Sequence, residues 1–212
     1  MSLDLAQSVD PVFTHVLDLL EQIEAGEDLD PRRVQMQIRD LIEQADASVG
    51  ATQSWELARY AITAWIDEVL LDAAWSGHEW WSNNVLEVEL FRTRDCSEQF
   101  YVKAELARSL PNSQVLEVFY DCVVLGFRGI YRSAEIAQVI GRNDGLSESL
   151  EAWLRRTSLA IEKKSQITPR VVGLPSGAPP RTARRWFVGT GFLLLALVVI
   201  DVLIYQLRGT SS

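Results

Sequence analysis

The chain has 212 residues, 48% hydrophobic and 23% charged, with a net charge of −9, which excludes a disordered chain and leaves room for one or two folded domains plus an appendage. Residues 1–100 carry 20 acids against 6 bases, whereas residues 101–180 carry 8 against 10. So acidic a half repels nucleic-acid phosphates; its acids are either a docking surface for basic protein partners or a solvated face that keeps the chain soluble. The two cysteines, Cys96 and Cys122, have no Cys–His neighbours, which excludes a zinc knuckle or a disulfide scaffold and suits free thiols in a reducing compartment. The N-terminus lacks the basic start, apolar core and cleavage site of a signal peptide, so the body is expected to stay in the cytoplasm.

Two helix starts are written alike, Asp10-Pro11 and Asp30-Pro31. Asp suits the N-cap, and Pro suits the first helical position, where its missing N–H costs nothing. Phe13, Val16, Leu20 and Ile23 follow the first start at helical spacing up to Gly26, and Val34, Ile38, Leu41 and Ala45 follow the second up to Gly50. Both helices are amphipathic, and Glu21, Glu24, Asp40 and Glu43 avoid their apolar stripes. These four acids are the candidate docking residues.

A third helix, Trp55 to Ala74, is apolar around most of its circumference and belongs in the middle of a bundle. Glu56, Arg59, Thr63 and Asp67 form its polar stripe, while Glu68 falls between Ala64 and Leu71. The pattern predicts a solvated Asp67 and a partly buried Glu68 paired with Arg128 or Arg132. His78 with Trp75, Trp80 and Trp81 forms an aromatic cluster at a helix junction: a packed corner, or else an exposed binding patch. Further helices are expected over 79–92, 97–109, 113–125, 133–140 and 147–161, with Cys122 as core filler and no convincing strand pattern.

From Pro169 to Pro180 the composition turns to Pro, Gly and small residues, a linker. Trp186 to Leu207 then runs with Asp201 as its single charge. At about 1.5 Å per residue this segment spans roughly 33 Å, enough for a hydrocarbon core of about 30 Å. Arg181, Arg184 and Arg185 precede it and Arg208 alone follows, so the positive-inside rule keeps the body cytoplasmic and places the short tail outside. Asp201 either pairs with a polar group on another membrane helix or reaches the headgroups. The expected organisation is a helical domain over 1–165, a basic linker over 166–185, a transmembrane helix over 186–207 and a tail over 208–212.

Signatures of enzyme chemistry are sparse. His15 and His78 lie apart, neither with a Glu three residues before it, and no phosphate-cradling glycine loop or nucleophile elbow is present. Asp67, Glu68 and Asp72 share a helix, but Asp67 and Glu68 point about 100° apart, so metal-assisted chemistry would need a second acidic helix. A tail-anchored enzyme using these carboxylates is the weaker alternative to an assembly component, alongside a generic tail-anchored adaptor. No cofactor and no metal are expected.

Several segments carry a likeness. Tyr60 to Leu70, reading YAITAWIDEVL and followed by Trp75 and Trp80, resembles the helix and tryptophans of the DotU/TssL family. Glu98-Gln99-Phe100-Tyr101 resembles that family's Glu-x-Phe-Phe segment. Leu116 to Tyr120, through Leu125-Gly126-Phe127-Arg128-Gly129-Ile130-Tyr131-Arg132, resembles its most specific signature. The likeness covers roughly residues 10–208, with departures at Cys96-Ser97, where the family has Gly-Gly, and at Ala73-Ala74-Trp75-Ser76, where it has Thr-Pro-Trp-Gly. The resemblance implies an inner-membrane subunit of a type VI or type IVB secretion system, all-α, with two three-helix bundles forming a cytoplasmic hook. It also implies an IcmF/TssM-like membrane partner, cytoplasmic baseplate partners and self-association.

Overall fold

The first helix, α1 (Leu5–Glu24), starts earlier than the Asp10-Pro11 signal predicts, and Pro11 lies inside it. Leu5 and Val9 extend the buried stripe of Val12, Phe13, Val16, Leu19 and Ile23. A proline inside a helix costs about 3 kcal/mol, and fully burying one such side chain returns about 1.5–3 kcal/mol. Two buried side chains therefore outweigh the break, and Asp10 is not a cap. The second signal holds: α2 (Pro31–Val49) starts with the Asp30 carboxylate accepting the Arg32 N–H at 3.1 Å. It ends at Gly50, whose φ of 75° is cheap only for glycine.

The computed structural model describes residues 5–133 and 149–167, all within the first of the two units into which the chain divides, 1–169 and 170–212. Among the described residues every regular element is a helix. The expected helix over 133–140 and the membrane segment with Asp201 lie outside them, and no described helix is long and apolar enough to cross a membrane.

Helix α3 (Gln53–Asp72) is capped by Thr52, whose hydroxyl accepts the Trp55 N–H at 3.1 Å. It is buried nearly all round and touches α1, α2 and every helix from α4 to α7. The single helix expected over 79–92 is two, α4 (His78–Asn83) and α5 (Leu86–Phe91). Asn84 parts them, its side chain donating to the Trp80 carbonyl at 2.8 Å and so competing with the helical backbone. Then come α6 (Cys96–Ser109), α7 (Gln114–Val124), a 3-10 turn (Gly129–Arg132) and α8 (Leu150–Ile167).

Helices α1 and α2 pair together and both reach α3; α6 and α7 also pack on α3, and α8 on α7. The side chains of both groups join one hydrophobic core. One part of it is aromatic: Phe100 stacks on Phe127 at 4.0 Å, with Phe119 and Tyr101 edge-on to Phe100, Trp153 edge-on to Tyr101 and Tyr131 of the 3-10 turn edge-on to Tyr101. That cluster ties α6, α7, α8 and the 3-10 turn together.

Candidate functional site

Asp67 and Glu68 are adjacent on α3 and serve different segments. Asp67 is 2% exposed, not solvated as its stripe suggested. Its carboxylate accepts the Leu86 and Glu87 N–H groups at 2.8 Å each and the Trp81 indole N–H at 3.0 Å. It thus caps α5, whose own N-terminus has no side-chain cap, from another helix. Thr63, on the same stripe, is fully buried as well. The stripe turns inward along its length: Glu56 is exposed and Arg59 partly so, whereas Asp67 is covered by α4 and α5.

Burial pushes Asp67 up to about 6, against the lowering effect of its three N–H donors. Glu87, also buried, extends the network from α5. It accepts the Tyr60 hydroxyl at 3.2 Å, the Thr93 hydroxyl at 2.8 Å and the Asp95 N–H at 3.0 Å. Desolvation raises its pKa, but the hydrogen bonds from Thr93, Cys96 and Asp95 outweigh it, and the net shift is downward. Nothing in the residue pattern singled out Glu87, which reads as one exposed acid among several.

Glu68 has the expected partner. Its carboxylate accepts from the Arg132 guanidinium at 2.9 Å, and it also takes the backbone N–H groups of Arg128 at 2.7 Å and Gly129 at 3.0 Å. Asp72, one turn on, is bridged to the same guanidinium. The acid therefore holds the turn that contains the Gly126–Arg132 motif. Gly126 and Gly129 have φ of 122° and 52°, and a Cβ at Gly129 would stand 2.6 Å from the Ser97 carbonyl oxygen. The motif aromatics are interior: Phe100 and Phe127 in the stack, with Tyr101 donating to the Arg128 carbonyl at 2.8 Å and meeting Tyr131 edge-on. Glu98 is half-buried in the first turn of α6.

The aromatic corner is mixed. Trp81 is fully buried, so it is a pillar of the α3–α4 junction and not a contact surface. Trp75 and Trp80 are half-buried, and His78 is exposed. Trp75 donates its indole N–H to the Leu70 carbonyl at 3.0 Å, which fixes its ring beside the end of α3.

The exposed acids are elsewhere. Glu21 and Glu24 on α1, and Asp40 and Glu43 on α2, are all exposed; Arg39 lies 3.5 Å from Glu43 and also pairs with Glu89. Between α1 and α3 runs a groove floored by Leu20, Ile23, Val69, Ala73 and Gly126 and edged by Glu24 and Asp72. The carboxylates of Asp67, Glu68 and Asp72 do not converge on one point: Glu68 and Asp72 share the Arg132 guanidinium, whereas Asp67 is bound to backbone N–H groups of α5. Among the described residues no group of three or more His, Cys, Asp or Glu side chains is placed to hold a metal. Both cysteines are free, with Cys122 buried in the core as expected.

The fold resembles that of a solved TssL domain. The cytoplasmic domain of TssL from Acinetobacter baumannii is 23% identical, with a TM-score of 0.59, over 77% of this chain and 99% of that one. SciP/TssL of the type VI secretion system from enteroaggregative Escherichia coli 042 is 21% identical, with a TM-score of 0.49, over 64% of this chain and 87% of that one. Among curated proteins nothing matches. The family model described as type VI secretion system protein DotU matches residues 4–206, so the chain belongs to the DotU family of type VI secretion system proteins.

Proposed function

We propose that the chain is a structural subunit of a type VI secretion membrane complex. Its helical body lies in the cytoplasm, held to the inner membrane by the apolar segment 186–207, and it docks cytoplasmic baseplate proteins and an IcmF/TssM-like membrane partner. The observation that carries this reading is the division among the acids. Asp67, Glu68 and Glu87 are engaged inside, whereas Glu21, Glu24 and Asp40 stand in solvent and enter no ion pair among the described residues. Unpaired surface acids attract a basic partner and steer its approach. The half-buried rings of Trp75 and Trp80 add apolar area around Trp81.

A pull-down of baseplate proteins tests the reading, comparing the native chain with one carrying Glu21→Lys, Glu24→Lys, Asp40→Lys and Glu43→Lys. Capture by the native chain should fall as salt rises, because exposed charges are screened beyond about 8 Å at physiological ionic strength. The reversed chain should capture little at any salt while keeping its helical content. Undiminished capture would make the acidic face a solvated one and overturn the docking role.

A further inference from the structure

Charge reverses along the chain as the apolar segment approaches. Residues 150–185 hold 8 bases and 2 acids, against 6 bases and 20 acids in residues 1–100. The basic stretch begins on α8 and continues to Trp186, where the apolar segment starts. On α8, Arg155, Leu159 and Lys163 recur every four residues and all three are exposed, so they form one line along the helix. Leu159 is 58% exposed, and neither Arg155 nor Lys163 enters an ion pair among the described residues. The other charges of the helix are engaged or set aside. Lys164 donates to the carbonyls of Arg108 and Leu110, and Arg156 is bound to Glu105. Glu162 lines a depression with α7 residues, and Glu151 lies one turn before Arg155.

We propose that this line on α8 is a lipid-contact surface of the helical body. Arg155 and Lys163 meet anionic headgroups of the cytoplasmic leaflet, and Leu159 between them enters the interfacial layer. The proposal rests on the reading that segment 186–207 anchors the chain, and it adds a second contact, made by the body itself. Charge chooses the occupant: an anionic surface attracts this stripe and repels the acids of α1 and α2. A leucine between two cations also suits a surface whose charge lies outermost and whose apolar layer lies beneath. Two cations bind a membrane weakly from solution. With 18 residues between Ile167 and Trp186 the contact forms within one molecule, and a weak attraction then suffices to populate it. Leu17 on α1 offers the opposite case: it is 37% exposed but stands among the exposed acids Asp18 and Glu21, so the same surface repels it.

The test uses the full chain in vesicles of phosphatidylcholine alone or of phosphatidylcholine with one part in three of phosphatidylglycerol. A fluorophore on Leu159→Cys or Leu17→Cys reports approach to a quencher carried on lipid headgroups, after subtraction of the native chain's signal from Cys96 and Cys122. In the anionic vesicles Leu159→Cys should be quenched and Leu17→Cys should not. Neutral lipid should remove the difference, and so should high salt, which screens exposed charges. Arg155→Gln and Lys163→Gln should each lower the ratio of lipid-bound to free body about fivefold, and both together roughly thirtyfold. Arg155→Lys keeps the charge and should keep the quenching. Quenching indifferent to lipid charge, quenching unchanged by the two glutamines, or equal quenching at Leu17→Cys would each overturn the proposal. Flotation keeps the two readings apart. A chain that does not float with neutral vesicles overturns the anchor, whereas one that floats with anionic vesicles while Leu159→Cys stays bright overturns the lipid contact alone.

Discussion

Asp67 is a carboxylate with three donors and almost no water, and its titration should be visible in stability. Its folded pKa is raised from 3.8 to about 6, so the native state binds the proton more tightly than the unfolded chain. The contribution is therefore fully present below about pH 4 and is lost as pH rises through about 6. By linkage the shift corresponds to about 3 kcal/mol across that window. Asp67→Asn keeps an acceptor toward Leu86 and removes the titration. Urea melts from pH 4 to pH 7 should show the native chain losing stability relative to the variant by that order as pH rises; parallel curves would rule out a raised Asp67. The sequence could separate Asp67 from Glu68, because 100° per residue sends them to different neighbours. It could not say which neighbour is water, because α3 is apolar on nearly every side and the covering residues come from α4 and α5.

At the scale of elements, the turn from Gly126 to Arg132 depends on α3 and α6 more than on itself. Glu68 collects its N–H groups, and Gly129 lies against the Ser97 carbonyl at the start of α6. Gly129→Ala would add a Cβ at 2.6 Å from a backbone oxygen, at a φ that already disfavours alanine. A backbone atom does not yield as a flexible side chain does, so the expected loss is more than about 2 kcal/mol, the range of strained or overpacked sites. A thermal melt reads it directly, and an unchanged midpoint would mean that α6 shifts to make room. Local chemistry explains why some elements were legible and others were not. Asp30-Pro31 works as a start because nothing before it has a buried stripe to extend, whereas Asp10-Pro11 is overridden by Leu5 and Val9. The break at Asn84 is an interaction of one side chain with a carbonyl four residues back, invisible to a periodicity that continues across it.

For the whole molecule, helix content, the central place of α3 and the family were readable from apolar spacing and the Gly126–Arg132 motif. Which acids face inward was not, because that depends on contacts with other elements, up to 64 positions away. Lys164 gives one of these long contacts a mechanical meaning. Its ammonium grips the carbonyls of Arg108 and Leu110 at 2.7 and 2.5 Å, three residues before α8 ends at Ile167. Tension applied to the chain beyond Ile167 enters the body at this clasp and loads those bonds before it reaches the Trp153 ring deep in the core. Removing the ammonium should leave α8 free to peel from its end. In single-molecule pulling between Leu5 and Ile167, Lys164→Ala should lower the force of the first rupture and leave the later ones unchanged. An identical first rupture would place the load elsewhere along α8. A chain built in this way meets pull from its C-terminal side first at a single amine, with the Arg156–Glu105 pair, the Arg108–Thr157 hydrogen bond and the Trp153 ring behind it as the further links between α8 and α6.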